Sequence, residues 1–274
     1  SDLLWVSTFG NGIYKINPGQ TGSLNDNDIV NYNTENGLPN NFIKQVFQDW
    51  EGNIWVATYG KGLAYYVSEA ITFLYQDIKE LQGNILALEE SESFLWLGGE
   101  NVIVKINKEN NSKEIIDQKT GLPADKINSL YLDKNNKLWI GTQQSGIYQK
   151  NISNNQVKPF FRSSNTLENN INCIEGHDNL VYVGTKNGIF VYDLQTGERK
   201  LYNTRQGLPH NDIKCIFIDD ENRPWIGTKS NGIFVLNDSH NYTIEGSIKL
   251  EFTSITQDEN GDIWAATYGD GVFK

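Results

Sequence analysis

The side chains best suited to acid–base or metal chemistry are few and scattered. The chain has three histidines, His177, His210 and His240. General-base or metal catalysis needs His and carboxylates gathered at one point. The repeat pattern below puts His177 in a turn between a first and a second strand. It puts His240 in a connector after a third strand, and only His210 on the face where loops converge. No His cluster is therefore expected there. The sequence also lacks a nucleophile elbow and a Walker-type loop. Acidic turns such as Asp258-Glu259-Asn260-Gly261-Asp262 resemble part of a calcium loop. A full loop spreads its ligands over about 12 residues and ends in a bidentate Glu. That pattern is missing, so the turns read as hairpins and no metal site or cofactor is expected. Cys173 and Cys215 fall at the same repeat position, where Gln45, Ala87, Ser129 and Ser254 stand elsewhere. They read as structural thiols in a crowded column, not as a disulfide.

The elements that would carry such residues are set by a repeated phrase. An acidic turn leads to Trp, two small or branched residues, Thr, a Gly-containing turn and an apolar strand. The anchors are Trp5, Trp55, Trp96, Trp139, Tyr182, Trp225 and Trp264, spaced 39 to 50 residues apart. A period near forty with short strands and Gly-marked turns is that of a propeller blade. In one copy, Phe42 to Gln48 reads as a first strand and Asp49 to Asn53 as a hairpin turn with Gly52 left-handed. Ile54 to Thr58 reads as the second strand, Leu63 to Tyr66 as the third and Ile71 to Tyr75 as a looser fourth. All seven anchors are expected in the core, since burying a large aromatic contributes a few kcal/mol.

The sequence thus predicts an all-β fold. Residues 1–274 form a single β-propeller domain of about seven four-stranded antiparallel blades, with incomplete terminal blades. The first repeat lacks its first strand and the last lacks its fourth. Either two blades are trimmed or the array continues beyond the chain, and both open edges are expected to be covered. The net charge of −11 argues against nucleic acid as a partner. No apolar run approaches the roughly 20 residues that span a bilayer. Methionine is absent, and nothing in the sequence accounts for it.

Gly37-Leu38-Pro39-Asn40-Asn41-Phe42-Ile43, followed by Asp49 through Trp55-Val56-Ala57-Thr58-Tyr59-Gly60-Lys61-Gly62-Leu63, resembles the two-component regulator propeller repeat. Gly121-Leu122-Pro123 and Gly207-Leu208-Pro209 repeat its leading signature. The resemblance extends along the whole chain. It implies the non-catalytic extracytoplasmic sensor region of a hybrid histidine kinase. Such a region is periplasmic, belongs to an inner-membrane protein and often responds to oligosaccharides. It also implies neighbouring propeller and membrane-linked domains in a longer product, and a homodimer. The repeats at Gln82-Gly83-Asn84 and Thr166-Leu167-Glu168 have lost Gly-Leu-Pro, Tyr182 replaces Trp, and Gly98-Gly99-Glu100-Asn101 interrupts Gly-Thr. Those blades read as architectural. Two other readings stay open: a protein-interaction scaffold, and a propeller lyase similar in size to the streptogramin-inactivating enzymes.

Connectivity places the Gly-Leu-Pro loops and the turns after the Trp strands on one face. The candidate ligand residues are Asn40, Asn41, Asp125, His210, Asn211 and Asp212 from the loops, with Tyr59, Lys61, Gln143 and Tyr268 from the turns. Amides, carboxylates and exposed aromatics suit the hydroxyls and ring faces of an oligosaccharide or another small polar ligand.

Overall fold

In the computed structural model the described residues are 3–17, 28–49, 52–67, 70–74, 78–81, 84–154, 156–236, 242–243 and 249–274. Trp50, Glu51, Tyr75, Gln82, Gly83 and His240 therefore lie outside them. The chain divides into two compact units, Ser1–Ile127 and Asn128–Lys274. No described helix is long and apolar enough to cross a membrane.

The first unit holds three sheets. One joins β1 (Leu4–Ser7), β2 (Ile13–Ile16) and β3 (Ile29–Tyr32). The next joins β4 (Ile43–Gln48), β5 (Ile54–Thr58), β6 (Leu63–Val67) and β7 (Ala70–Leu74). The third joins β8 (Ala87–Glu90), β9 (Phe94–Gly98), β10 (Ile103–Asn107) and β11 (Lys113–Ile116).

The second unit holds four sheets. They are β12 (Ile127–Leu132), β13 (Lys137–Thr142), β14 (Ile147–Asn151) and β15 (Val157–Phe161); then β16 (Ile171–His177), β17 (Leu180–Thr185), β18 (Gly188–Asp193) and β19 (Arg199–Tyr202). After them come β20 (Ile213–Ile218), β21 (Pro224–Thr228), β22 (Ile233–Val235) and β23 (Tyr242–Thr243). The last sheet has only β24 (Phe252–Gln257), β25 (Ile263–Thr267) and β26 (Val272–Phe273). Every sheet runs in chain order with antiparallel neighbours. Among the described residues the first sheet has no inner strand and the last no outer one, as the repeat pattern predicts.

Within each unit, cores form between consecutive sheets. Ile13 and Tyr32 meet Ile54 and Val56, while Trp55 and Leu63 meet Leu95, Leu97 and Val104. In the second unit Trp139 and Ile147 meet Ile171, Val181 and Phe190, and Tyr182 meets Ile213, Ile226 and Phe234. Five of the seven anchors are buried, but Trp5 and Trp225 are only half-buried. Trp5 sits on a strand with one neighbour, and Trp225 borders a cleft described below.

The repeat grammar has a hydrogen-bond meaning. The turn Asp accepts the Trp indole N–H six residues on: Asp49 from Trp55 at 2.9 Å, Asp133 from Trp139 at 2.8 Å, Asp219 from Trp225 at 2.7 Å and Asp258 from Trp264 at 2.8 Å. The other carboxylate oxygen binds backbone N–H groups of the same turn, as Asp133 does with Asn135 and Lys137. The acidic turns are thus hairpin fasteners. The Tyr182 repeat drops both partners, with Gly176 in place of Asp. A β-carbon at Gly176 would lie 2.5 Å from the Tyr131 hydroxyl.

Where the phrase keeps its Thr, that Thr closes the next turn. Thr58, Thr142, Thr185 and Thr228 donate their hydroxyls to the carbonyls of Gly62, Gly146, Gly188 and Gly232 at 2.7 to 2.9 Å. Gly146 must be glycine: its φ is +85°, and a β-carbon would sit 2.4 Å from the Phe161 carbonyl oxygen.

Candidate functional site

Two of the three Gly-Leu-Pro loops are built around a short 3-10 turn. Asp117 and Asn203 cap the turns Gln118–Thr120 and Thr204–Gln206, and Gly121 and Gly207 end them in the left-handed conformation. Leu38, Leu122 and Leu208 then plunge into the core. Pro fixes the exit, and the next residues are presented at the first strand.

That presentation uses several of the predicted residues as staples. The Asn41 side-chain oxygen accepts from Thr34 N at 2.8 Å, and Asn211 does the same with Thr204 N at 2.8 Å. Their backbone carbonyls accept from Gly12 N at 2.9 Å and from Gly188 N at 2.7 Å. Asn40 donates its amide to the Tyr59 carbonyl and accepts from Phe42 N at 3.2 Å. Asp125 accepts from its neighbour Lys126 N at 2.8 Å. These side chains shape the loops, and their remaining polar atoms are what a ligand would meet.

Two clusters result, one in each unit. In the first, Phe9, Phe42 and Tyr59 form an aromatic step. Phe9 packs edge-on against Phe42 at 4.9 Å and against Tyr59 at 5.4 Å between ring centroids. Backbone bonds fix it: Tyr59 N donates to Phe42 O at 3.0 Å and Ile43 N to Thr8 O at 3.1 Å. Phe9 and Phe42 are nonetheless 60% and 43% exposed. Partial burial raises the Tyr59 phenol above its ordinary value, so it remains a hydroxyl donor at neutral pH. Asn40 and the exposed Lys61 lie beside this step in the chain.

The second cluster is polar and charged. Asn172 donates to Asp212 at 3.0 Å and to the Ile213 carbonyl at 2.6 Å. Lys214 lies 3.8 Å from Asp212 and 3.2 Å from Glu251. His210 Nδ1 accepts from Asp212 N at 3.0 Å, leaving Nε2 as the proton-bearing nitrogen when the ring is neutral. Tyr268, 65% exposed, anchors its N–H on the Glu251 carbonyl at 2.8 Å. Gln143 is half-buried.

Asn172, Lys214 and Glu251 were not predicted, nor was Phe42. Asn172 and Lys214 occupy one repeat position, the second residue of the inner strand. Register shifts at Ile43/Gln45, Ile171/Cys173, Ile213/Cys215 and Phe252/Ser254 mark it as a recurring β-bulge. A bulge re-aims the extra residue out of the strand alternation. Asn128, at the same position, reaches to the Ile171 carbonyl at 3.0 Å. The available signal was a polar residue recurring between Ile and a small residue. The small residue has its own reason: the Cys173 and Cys215 sulfurs pack over Gly184 and Gly227, where a β-carbon would lie only 2.5 and 2.4 Å away. Burial pushes the Cys215 thiol up to about 12, which keeps it protonated at neutral pH.

A cleft of about 610 Å³ lies away from these loops, between the β17–β19 and β21–β22 faces. Tyr182, Tyr202, Trp225 and Leu236 form its walls, with Lys200 and Arg223 among its polar lining. Asp219 and Glu221 already engage Arg223, at 2.6 and 2.9 Å. The β20–β21 turn bordering this cleft lies at the end of β20 opposite the Gly207-Leu208-Pro209 loop. His177, at the corresponding end of β16, is exposed and 3.3 Å from Asp178. No group of three or more His, Cys, Asp or Glu among the described residues is placed to hold a metal.

Residues 37–60, 121–144 and 247–269 match the family model described as two component regulator propeller. No curated protein matches the chain. Among solved structures, the extracellular domain of the hybrid two component system BT3049 from B. thetaiotaomicron is 19% identical over 99% of this chain and 38% of its own, with a TM-score of 0.78. The corresponding domain of BT4673 is 25% identical over 84% of this chain and 31% of its own, with a TM-score of 0.68. The WD40 β-propeller domain of Doa1 is 11% identical over 99% of this chain and 87% of its own, with a TM-score of 0.70. The fold is that of a β-propeller. The chain spans about a third of the length of the two sensor domains it resembles.

Proposed function

From the premise that this chain is a β-propeller carrying the repeats of the two component regulator propeller family, we propose that it is the ligand-sensing, non-catalytic propeller of a periplasmic hybrid sensor. In this reading an oligosaccharide, or another small polar ligand, binds at the Gly-Leu-Pro loops. The observation that carries the reading is the aromatic step. Exposed aromatic rings held by backbone bonds are costly in water and present flat apolar faces, which a sugar ring can cover while its hydroxyls reach amides. Phe9 and Phe42 are such rings, with Asn40, Tyr59 and Lys61 as the adjoining polar groups. In the second unit the reading gives Asp212, Lys214, Glu251 and His210 the role of polar contacts. Bound ligand would favour one arrangement of the propeller against its neighbours in a dimeric sensor, and so shift kinase output.

A panel of oligosaccharides screened by thermal shift tests this. A dose-dependent rise in melting temperature that is lost in Phe9→Ala and in Tyr59→Ala supports the reading. A panel that shifts nothing, with a protein partner captured through the same two residues, replaces it with an interaction scaffold.

A further inference from the structure

We propose that the cleft between the β16–β19 and β20–β23 sheets is a binding site for a small molecule with a planar aromatic ring, which takes the place that a side chain fills in the preceding repeat. This inference does not depend on the ligand reading at the Gly-Leu-Pro loops, and all of the cleft residues belong to the second unit. Three other anchors show how the outer flank of such a ring is covered. Tyr65, opposite Trp55, packs on it at 4.7 Å between centroids. Lys105, opposite Trp96, sets its Nζ 5.0 Å from the indole centroid. Trp139 is covered by Phe160, at 4.7 Å between centroids.

Phe160 reaches Trp139 because it is an extra residue. The β14–β15 register runs Gln149↔Lys158, Tyr148↔Pro159 and Ile147↔Phe161, which leaves Phe160 over as a bulge. Its ring lies across two sheets, touching Trp139 on one and Tyr192 on the next, the second at 5.3 Å between centroids. Both of those residues are buried.

The next repeat keeps this arrangement and omits the ring. The pairs Trp139↔Gln149, Tyr182↔Val191 and Trp225↔Val235 are equivalent. Tyr182 therefore stands where Trp139 does, and Leu236, after Val235, stands where Tyr192 does, after Val191. The outer strand β19 pairs without a bulge, through Val191↔Lys200, Phe190↔Leu201 and Ile189↔Tyr202, so it has no counterpart of Phe160. Val191 is too short to cover the Tyr182 ring as Tyr65 covers Trp55. What is left is the cleft of about 610 Å³, a size usual for small-molecule sites. Both walls are smaller than their counterparts, which leaves room for two fused rings where Phe160 supplies one. Val191, Tyr202, Val235 and Leu236 are only half-buried along it, and a ring would take their apolar surface out of water. Asp193, Glu198, Lys200 and Arg223 line the cleft with balanced sign, so the site selects for a ring more than for a charge.

The test uses the 274-residue chain with indole, indole-3-acetate, tryptamine and cyclohexylacetate as probes. The expected result is saturable binding of the three indoles with Kd values within about tenfold of one another. Cyclohexylacetate should bind about three- to tenfold more weakly than indole-3-acetate. Methyl NMR should show indole shifting Val191, Val235 and Leu236, and leaving Val181 and Val183, which face the Trp139 side, unmoved. Val191→Tyr, which supplies the missing ring, should weaken indole binding by about tenfold or more and raise the melting midpoint by about 2 to 4 °C. No saturable binding at the solubility limit of indole, equal binding of cyclohexylacetate, or shifts at Val181 and Val183 instead would overturn the proposal. Binding that persists in Val191→Tyr but is lost in Phe9→Ala would overturn it in favour of the aromatic step. A lowered melting midpoint of Val191→Tyr, with no indole binding by the unaltered chain, would overturn it by showing that the chain's own residues already fill the space.

Discussion

Replacing Asp133 with alanine removes an acceptor for three hydrogen bonds. Two come from the turn backbone, Asn135 N at 2.9 Å and Lys137 N at 3.0 Å, and one from Trp139 Nε1 at 2.8 Å. The turn amides can recover water. The indole cannot, because Trp139 is fully buried. An orphaned buried donor costs about 1–3 kcal/mol, and loss of charged-acceptor bonds to the turn adds about 1 kcal/mol. We expect Asp133→Ala to destabilise by about 3 kcal/mol, read by urea unfolding. Asp133→Asn should cost about 1–2 kcal/mol, since its amide oxygen can serve the turn or the indole but not both. In a double-mutant cycle with Trp139→Phe, which removes the indole N–H, the coupling should be about 1–2 kcal/mol. Additivity of the two substitutions within about 0.3 kcal/mol would refute the claim that the acidic turns exist to satisfy the anchors.

Three further outcomes follow from the same structure. Burial alone raises the Glu175 carboxyl from its ordinary 4.5 to about 7; the folded state then holds a proton that the unfolded state has released, so stability is full below about pH 4.5 and falls as pH rises through 7. Glu175→Gln should gain about 1–3 kcal/mol at pH 8 and little at pH 4.5, with urea unfolding at both pH values as the check. Gly146→Ala adds a carbon 2.4 Å from a backbone oxygen, while Gly197→Ala, also at positive φ, meets nothing within 4 Å; the first should cost several kcal/mol by thermal unfolding and the second about 1 kcal/mol. Lys214→Met should lower affinity for any ligand held at the Asp212–Glu251 cluster by about tenfold in titration calorimetry, and leave folding within about 1 kcal/mol, because the Lys214 contacts with Asp212 and Glu251 are partly solvated.

The sheets were legible because each strand boundary carries a residue with one physical task. Asp closes the first hairpin and meets the Trp, Thr closes the second hairpin on its Gly, and Leu after the Gly-Leu-Pro glycine anchors the loop. Within each unit, connectivity foretold that the loop before an inner strand meets the turn after the anchor strand, as Tyr59 N meets Phe42 O and Tyr268 N meets Glu251 O. The side-chain contacts of the candidate residues were less legible. Asn41 and Asn211 look like ligand amides in sequence but spend their oxygens on Thr34 and Thr204. Asn172 and Lys214 read as strand positions pointing sideways, and only the bulge turns them toward Asp212. Strict strand alternation has no means of announcing a bulge. The exposure of Phe42 was hidden for a related reason: an aromatic beside a strand start reads as core.

The missing Asp–Trp bond of the fifth repeat bears on how the repeats can be exchanged. Trp at 182 alone would bury an indole without its acceptor, and Asp at 176 alone would add a carboxylate without its donor. A β-carbon at 176 would also lie 2.5 Å from the Tyr131 hydroxyl, so installing the pair found in four other repeats requires Tyr131 of the neighbouring repeat to move or change as well. A phrase taken from one repeat of this chain therefore does not fit another unless the repeat beside it changes too.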